Sequence, residues 1–206
     1  MIRNILFDLG VVLLHLDYRR GLAKFLPLCD PARSGPLASF FSFSGRDPVI
    51  ADYERGRVSP QELYRQFVAA TGFRGSFEQF AELTMDILAE NKPMIDYART
   101  LAPACAVYLA TNTGSLQISR MYDAFPSLRF FQDAAVSCYL GEVKPDRAFY
   151  EKALAQFRVE AGTCLFVDDR PENVAGAEAC GIRSVLYTTP GETIAAVDGA
   201  LARGKQ

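Results

Sequence analysis

The stretch Ile2-Arg3-Asn4-Ile5-Leu6-Phe7-Asp8-Leu9-Gly10-Val11-Val12 decides how the rest of the chain is read. Its apolar run is short and stops at a carboxylate, as a strand buried on both faces does on reaching the edge of a sheet. Ala106–Asn112 (AVYLATN) and Thr163–Asp169 (TCLFVDD) repeat the pattern, and Ala134–Cys138 and Arg183–Thr188 are weaker strands of the same kind. Helical stretches lie between them. Lys92–Leu101 carries Pro93 in its first turn, Asp146–Gln156 follows Pro145, and Pro171–Cys180 is closed by Gly181. Strands alternating with helices predict an α/β fold, a three-layer Rossmann-like core around an open parallel sheet.

Residues 17–82 break the alternation. Tyr18–Leu26, Pro36–Phe43, Pro60–Thr71 and Phe77–Leu88 read as amphipathic helices, with Ser59 as N-cap, Pro60 at the first position and Glu62 at the third. The expected organisation is a core of residues 1–16 and 83–206 with a helical cap of residues 17–82 inserted after the first strand. Parallel sheets bind ligands at the carboxyl ends of their strands, so such an insert would hang over the site.

Composition narrows the classes. The chain has 206 residues, half of them hydrophobic, and 22 Lys and Arg against 24 Asp and Glu give a net charge of −2. That balance provides no broad basic face for nucleic acid or anionic lipid. The longest uncharged stretch, Thr100–Ser119, contains Pro103, Asn112, Gly114 and Gln117 and lacks the apolar density of a membrane span. No small-residue cleavage site follows the N-terminal run, so a signal peptide is not expected. The five cysteines form no CxxC pair, and with one histidine they make neither a disulfide framework nor a zinc site. The expected setting is cytoplasmic, with the cysteines acting as small core hydrophobes; monomer and dimer stay open.

The ends of the strong strands carry the chemistry: Asp8, Thr111-Asn112 and Asp168-Asp169, to which Lys144-Pro145 adds an ammonium just after the fourth strand. Carboxylates brought together repel unless a cation sits among them, and oxygen ligands without His or Cys select a hard ion such as Mg²⁺. A carboxylate can attack phosphorus and form an aspartyl-phosphate, with Lys144 supplying positive charge and Thr111 and nearby backbone N–H groups holding phosphoryl oxygens.

Phe7-Asp8-Leu9-Gly10-Val11-Val12, Leu109-Ala110-Thr111-Asn112, Lys144-Pro145 and Phe166-Val167-Asp168-Asp169-Arg170-Pro171-Glu172-Asn173 resemble the four ordered motifs of the haloacid dehalogenase-like hydrolase superfamily. The insert resembles its C1-type cap (subfamily IA), and FDLGxV with DDxxxN is similar to the bacterial α-D-glucose-1-phosphate phosphatase group. The resemblance spans nearly the whole chain. It implies a Mg²⁺-dependent phosphomonoesterase acting on a small phosphorylated metabolite, with a sugar phosphate as the expected substrate. Asp8 would be the nucleophile, Asp8 and Asp169 direct Mg²⁺ ligands, Gly10 a ligand through its carbonyl and Asp168 beside the metal. Thr111, Asn112 and Lys144 would bind the phosphate, Lys144 with a catalytic part. A dehalogenase of the same fold and a catalytically weakened phospholigand-binding protein are the alternatives.

One departure bears on mechanism. Phosphatases of this superfamily usually carry a second Asp two residues after the nucleophile, to protonate the leaving alkoxide and later activate water; this chain has Gly10. His15 is a candidate replacement, although a hinge or surface imidazole is the expected role. Asp17 could orient a substrate hydroxyl but is expected to cap the helix at Tyr18, one of Asp168 and Asp169 could instead cap the helix begun at Pro171, and Glu54-Arg55-Gly56-Arg57 could reach substrate but is expected to be a solvated turn. Phe40, Phe41 and Phe43 read as core of the cap.

Overall fold

The computed structural model describes residues 1–33, 35, 37 and 48–203. Five parallel strands form the central sheet: β1 (Asn4–Phe7), β4 (Ala106–Thr111), β5 (Asp133–Val136), β6 (Cys164–Asp168) and β7 (Arg183–Leu186), in the order β5-β4-β1-β6-β7. β1 is central, with Phe7 level with Leu109 on one side and Val167 on the other. That register brings the residues after all three strands to one edge.

The period of two explains why the strands read as unbroken apolar runs. Ile5, Phe7, Val107, Leu109, Leu165 and Val167 face one layer, packed by α5 (Lys92–Leu101), α6 (Ser115–Ala124) and α10 (Pro190–Arg203). Leu6, Tyr108, Ala110, Cys164 and Phe166 face the other, packed by α8 (Arg147–Phe157) and α9 (Pro171–Ala179). Both faces are covered, so neither tolerates alternation with polar residues. The strong strands lie where the sequence puts them, each a residue or more shorter. The weak strand at Ala134–Cys138 gives way to a helical turn, α7 (Ser137–Leu140), because Ser137 leaves the sheet to bond the neighbouring loop.

Two three-residue strands that local pattern does not reveal, β2 (Leu14–Leu16) and β3 (Leu88–Glu90), pair antiparallel at the root of the insert, Leu14 opposite Glu90. Between them lie α1 (Tyr18–Phe25), α2 (Pro48–Glu54), α3 (Pro60–Thr71) and α4 (Phe77–Asp86). α4 runs past residue 82, the expected end of the insert, and stops where β3 begins. The Pro36–Phe43 helix and the rings of Phe40, Phe41 and Phe43 lie, Leu37 apart, outside the described residues.

The insert has its own core. Phe25, Phe67, Phe73 and Phe80 bury their rings with centroids 5.0–6.3 Å apart. Truncating one such ring typically costs about 3–5 kcal/mol. Asp17 and Ser59 accept hydrogen bonds from the backbone N–H of Arg20 and Glu62, the caps expected of them. All five cysteines are free thiols, and among the described residues no helix is long and apolar enough to cross a membrane.

Candidate active site

β1 ends in a turn that presents Asp8. The Asp8 N–H still bonds the sheet at Val167 O (2.9 Å), and the chain then folds back so that Leu14 N–H reaches Leu9 O (2.8 Å). Inside this turn Val12 N–H donates to Gly10 O at 2.6 Å and Val11 sits at φ +62°. A β-branched residue there is strained, of the kind that accumulates at functional sites. Gly10 is not in the left-handed region, and a Cβ on it would meet Leu16 Cδ1 at 3.7 Å and Asp8 Oδ2 at 3.9 Å, ordinary contacts. Conformation does not therefore demand glycine at position 10.

Lys144 enters from the loop after α7 and is 3% exposed. Its Nζ donates to Asp8 Oδ1 (2.6 Å), Asp168 Oδ2 (2.6 Å) and Ala110 O (2.8 Å). An ammonium has three donors, so none is left over for a phosphate in this state. Lys144 here neutralises and aims the two carboxylates.

Asn112 also differs from expectation. Its Nδ2 donates to Lys144 O (2.9 Å) and its Oδ1 accepts from Lys144 N–H (2.8 Å). The side chain expected on the phosphate instead clamps the loop that delivers the lysine. Thr111 shares a hydrogen bond of 2.6 Å with the hydroxyl of Thr113, whose N–H is held by Ser137 Oγ at 2.9 Å. Both threonines and Asn112 line the same cavity as Asp8.

Asp168 is fully buried and accepts, besides Lys144, the Arg170 N–H (2.9 Å) and Asn173 Nδ2 (2.9 and 3.1 Å). The helix-capping alternative does not hold, since Arg170 is the N-cap residue of α9 and Asp168 reaches its N–H from outside. Asp169 is half-buried and faces the cavity. Each of Asp8, Asp168 and Asp169 offers a carboxylate oxygen within 4.8 Å of the others. Three carboxylates against one ammonium leave an excess of two negative charges, which a divalent cation would cancel. The all-oxygen donor set suits a hard ion such as Mg²⁺. The mutual repulsion of these groups shows in the carboxyls. Asp8 is pushed from 3.8 up to about 7, by burial foremost and by Asp168 and Asp169, against the pull of Lys144. Asp169 is also raised, by burial and then by Asp168.

The cavity over these groups encloses about 200 Å³. Its floor is polar, and its walls are largely apolar, from Leu9 and Val11 after β1, through Leu14, Leu16 and Ile87 at the root of the insert, to Ile50 within it. Glu54 enters it from the end of α2, contrary to the solvated turn read from the sequence, and its carboxyl is pushed from 4.5 up to about 7, by burial above all. His15 stays outside. Strand alternation turns Leu14 and Leu16 toward the cavity and leaves His15 exposed on the opposite face. Local sequence gave no sign of Tyr53, Thr113, Gln117 or Arg170 as cavity residues, although Arg170 falls inside the DDxxxN stretch.

The chain is 32% identical over 142 residues to a sesquiterpene phosphatase of Aspergillus oryzae, covering 66% of this chain and 70% of the relative. It is 23% identical over 181 residues to a D-ribitol-5-phosphate phosphatase of Bacteroides thetaiotaomicron, covering 84% and 86%. A HAD family enzyme of the same bacterium, solved with magnesium and inorganic phosphate, shares the fold with a TM-score of 0.82 over 91% of this chain and 95% of that one, at 22% identity. The model of one family, haloacid dehalogenase-like hydrolase, matches residues 2–181, most of the length and all four strand-end motifs. The chain belongs to that family of hydrolases.

Proposed function

We propose that this hydrolase is a Mg²⁺-dependent phosphomonoesterase working through an aspartyl-phosphate on Asp8. The observation that carries the reading is the Asp8 carboxylate at the head of the central strand, 2.6 Å from a buried ammonium and grouped with two further carboxylates. Asp8, Asp169 and the Gly10 carbonyl would hold the metal, with Asp168 beside it. Bound there, Mg²⁺ supplies charge neutralisation for the nucleophile and the phosphoryl oxygens. Asp8 attacks phosphorus in line with the ester oxygen, and Lys144 holds it in the attacking rotamer. Thr111 and Thr113 offer hydroxyls to the phosphoryl oxygens, and Asn112 keeps the Lys144 loop in register. Residues 17–82 act as a cap whose apolar wall excludes water from the ester.

Attack on carbon, as in a dehalogenase, has no use for a cation, so the carboxylate group favours phosphorus. For the alcohol, the ribitol-5-phosphate phosphatase relative supports a sugar phosphate. A second reading, a phosphate of an apolar alcohol, is favoured by the Leu, Val and Ile walls and by the sesquiterpene phosphatase relative. Turnover of para-nitrophenyl phosphate, with and without EDTA, tests the reaction. Dependence on the metal and a phosphorylated species seen by intact mass in wild type but not in Asp8→Asn are expected. Binding of phosphate esters without turnover would leave the phospholigand-binding alternative. Relative kcat/KM on pentitol, hexose and prenyl monophosphates separates the two substrate classes.

A further inference from the structure

A phosphate ester of an ordinary alcohol leaves as a strongly basic alkoxide, so its departure requires a proton at the ester oxygen. The cavity contains few groups able to give one. Asp8 is the nucleophile, Asp168 and Asp169 belong to the carboxylate group, and all three donors of Lys144 are engaged. Tyr18 holds its proton firmly, pushed up to about 12 by burial and by the charges of Asp169 and Glu54. Gly10 has no side chain, and His15 points away.

Glu54 remains. Among the described residues its carboxylate makes no hydrogen bond or ion pair, and it faces the space above Asp8. Its neighbours are fastened to three separate parts of the core. Tyr53 packs on Gly114 so closely that a Cβ there would fall 2.0 Å from the ring, and its hydroxyl bonds Gln117 Oε1 (2.8 Å) and the Leu116 N–H (3.0 Å). Arg55 pairs with Asp146 just before α8 at 3.1 Å. Gly56, at φ +71°, runs against the Cys138 carbonyl of α7, where a Cβ would lie 2.2 Å from the oxygen. Three anchors around one unpaired carboxyl are more than a solvated turn needs.

We propose that Glu54 is the acid–base residue of this site, supplying from the insert the carboxyl that Gly10 does not provide. The inference rests on the phosphomonoesterase reading. As Asp8 Oδ bonds phosphorus and the phosphorus–ester oxygen bond breaks, the Glu54 proton passes to the departing oxygen, releasing the alcohol. The Glu54 carboxylate then takes a proton from the water that attacks the aspartyl-phosphate. Inorganic phosphate leaves, Asp8 returns as a carboxylate and Glu54 is again protonated. The charges facing Glu54 are Arg170, Lys144 and Arg55, which favour its ionised form, and Asp8, which opposes it, with the Tyr18 phenol nearby. Burial outweighs the cations, so the carboxyl exchanges its proton near neutrality, where an acid–base group is most effective.

The experiment compares wild type, Glu54→Gln and Glu54→Asp on phosphate esters of graded leaving-group pKa across pH. In Glu54→Gln, kcat/KM should fall by roughly 10²–10³-fold on alkyl phosphates and by about tenfold or less on para-nitrophenyl phosphate, whose phenolate leaves without a proton. The alkaline limb near pH 7 should disappear, and the phosphorylated protein should accumulate on intact mass because the water-activating base is gone. Glu54→Asp should recover part of the alkyl rate. Equal losses on both substrate classes, a change confined to KM, or an unaltered alkaline limb would overturn the assignment while leaving the phosphomonoesterase reading intact. A wild type that neither turns over nor is labelled on Asp8 would overturn both.

Discussion

Replacing Asp8 by Asn removes the nucleophile, yet the metal-free protein should become more stable. Asp8 is 8% exposed, and its carboxyl is pushed from 3.8 up to about 7. The unfolded chain loses this proton near pH 4, whereas the folded chain keeps it to about pH 7. The stability associated with that retained proton is complete below pH 4 and is lost as the pH rises through 7. At about 1.4 kcal/mol per tenfold change in proton affinity, the gap from 3.8 to about 7 amounts to roughly 4 kcal/mol. Asn keeps the shape and cannot ionise, so it escapes this loss. It gives up the ionic bond to Lys144, which keeps Asp168 as a partner at 2.6 Å. The net gain at pH 8 should be about 2–3 kcal/mol, or roughly 5–10 °C in Tm for a chain of this size.

The assay is thermal unfolding of both proteins in EDTA from pH 5 to 8.5. The curves should lie closest near pH 5, separate as the pH rises to 7, and keep a constant gap above it. Asp169 and Glu54 are also raised, and removing the Asp8 charge relieves the repulsion they share with it, which widens the difference in the same direction. Mg²⁺ should then stabilise wild type more than the variant, closing the gap. An Asn variant melting below wild type at pH 8, or a gap constant from pH 5 to 8, would refute the reasoning. The nucleophile would then not be held under electrostatic strain.

Three further outcomes follow from the same geometry. Lys144→Met leaves Asp8 and Asp168 buried without their cation and should cost about 3–5 kcal/mol at neutral pH in urea unfolding, partly regained on acidification. Asp169→Ala should weaken Mg²⁺ binding in calorimetric titration with little change in Tm, whereas Asp168→Ala should lower Tm sharply because it leaves the buried Asn173 amide without its acceptor and takes one of the two carboxylates from Lys144; the reverse pattern would mean that the two carboxylates have been assigned to each other's roles. Gly10→Asp should fold, since its Cβ meets nothing closer than 3.7 Å, and should restore alkyl phosphate turnover to Glu54→Gln while lowering Tm in EDTA through the added negative charge.

The parts of this molecule that were legible in its sequence are those specified by nearby residues. β1, β4 and β6 are buried on both faces, so their apolar runs stand out, and the polar residues that stop them are necessarily at the sheet edge. Asp8, Asp168 and Asp169 come together for that reason, and Lys144 joins them from the loop after α7. The pair β2 and β3 at the root of the insert is different. Each is three residues long, and Leu14 finds its partner at Glu90, so no local periodicity exists to read. Asn112 illustrates another limit. Its position was legible, but whether its amide meets a ligand or the Lys144 backbone depends on a loop 32 residues away. Glu54 was misread because an exposed turn and a docked one share the composition Glu-Arg-Gly-Arg. What distinguishes them is Gly114, Asp146 and Cys138, far along the chain. One local sign was present: Ile50 and Tyr53, spaced three apart ahead of the turn, form an apolar face that a solvated turn would not require.

That face links selectivity to proton delivery. Ile50, Tyr53 and Glu54 stand at i, i+3 and i+4 on α2, hence on one side of the helix, and all three line the cavity. The wall that encloses the alcohol and the carboxyl that protonates it therefore move as one body, fixed by the Tyr53 and Arg55 contacts to the core. An alcohol too large or too polar to sit against Ile50 would separate α2 from Gly114 and Gln117, and the Glu54 proton would be withdrawn with it. Had the acid been placed at position 10, on the nucleophile's own turn, it would protonate any ester that reached Asp8. Carried on the insert, it favours only those esters that leave α2 seated on the core. Poor substrates should accordingly lose kcat and not only KM, and Glu54→Gln should lower turnover least on the esters that wild type already handles worst.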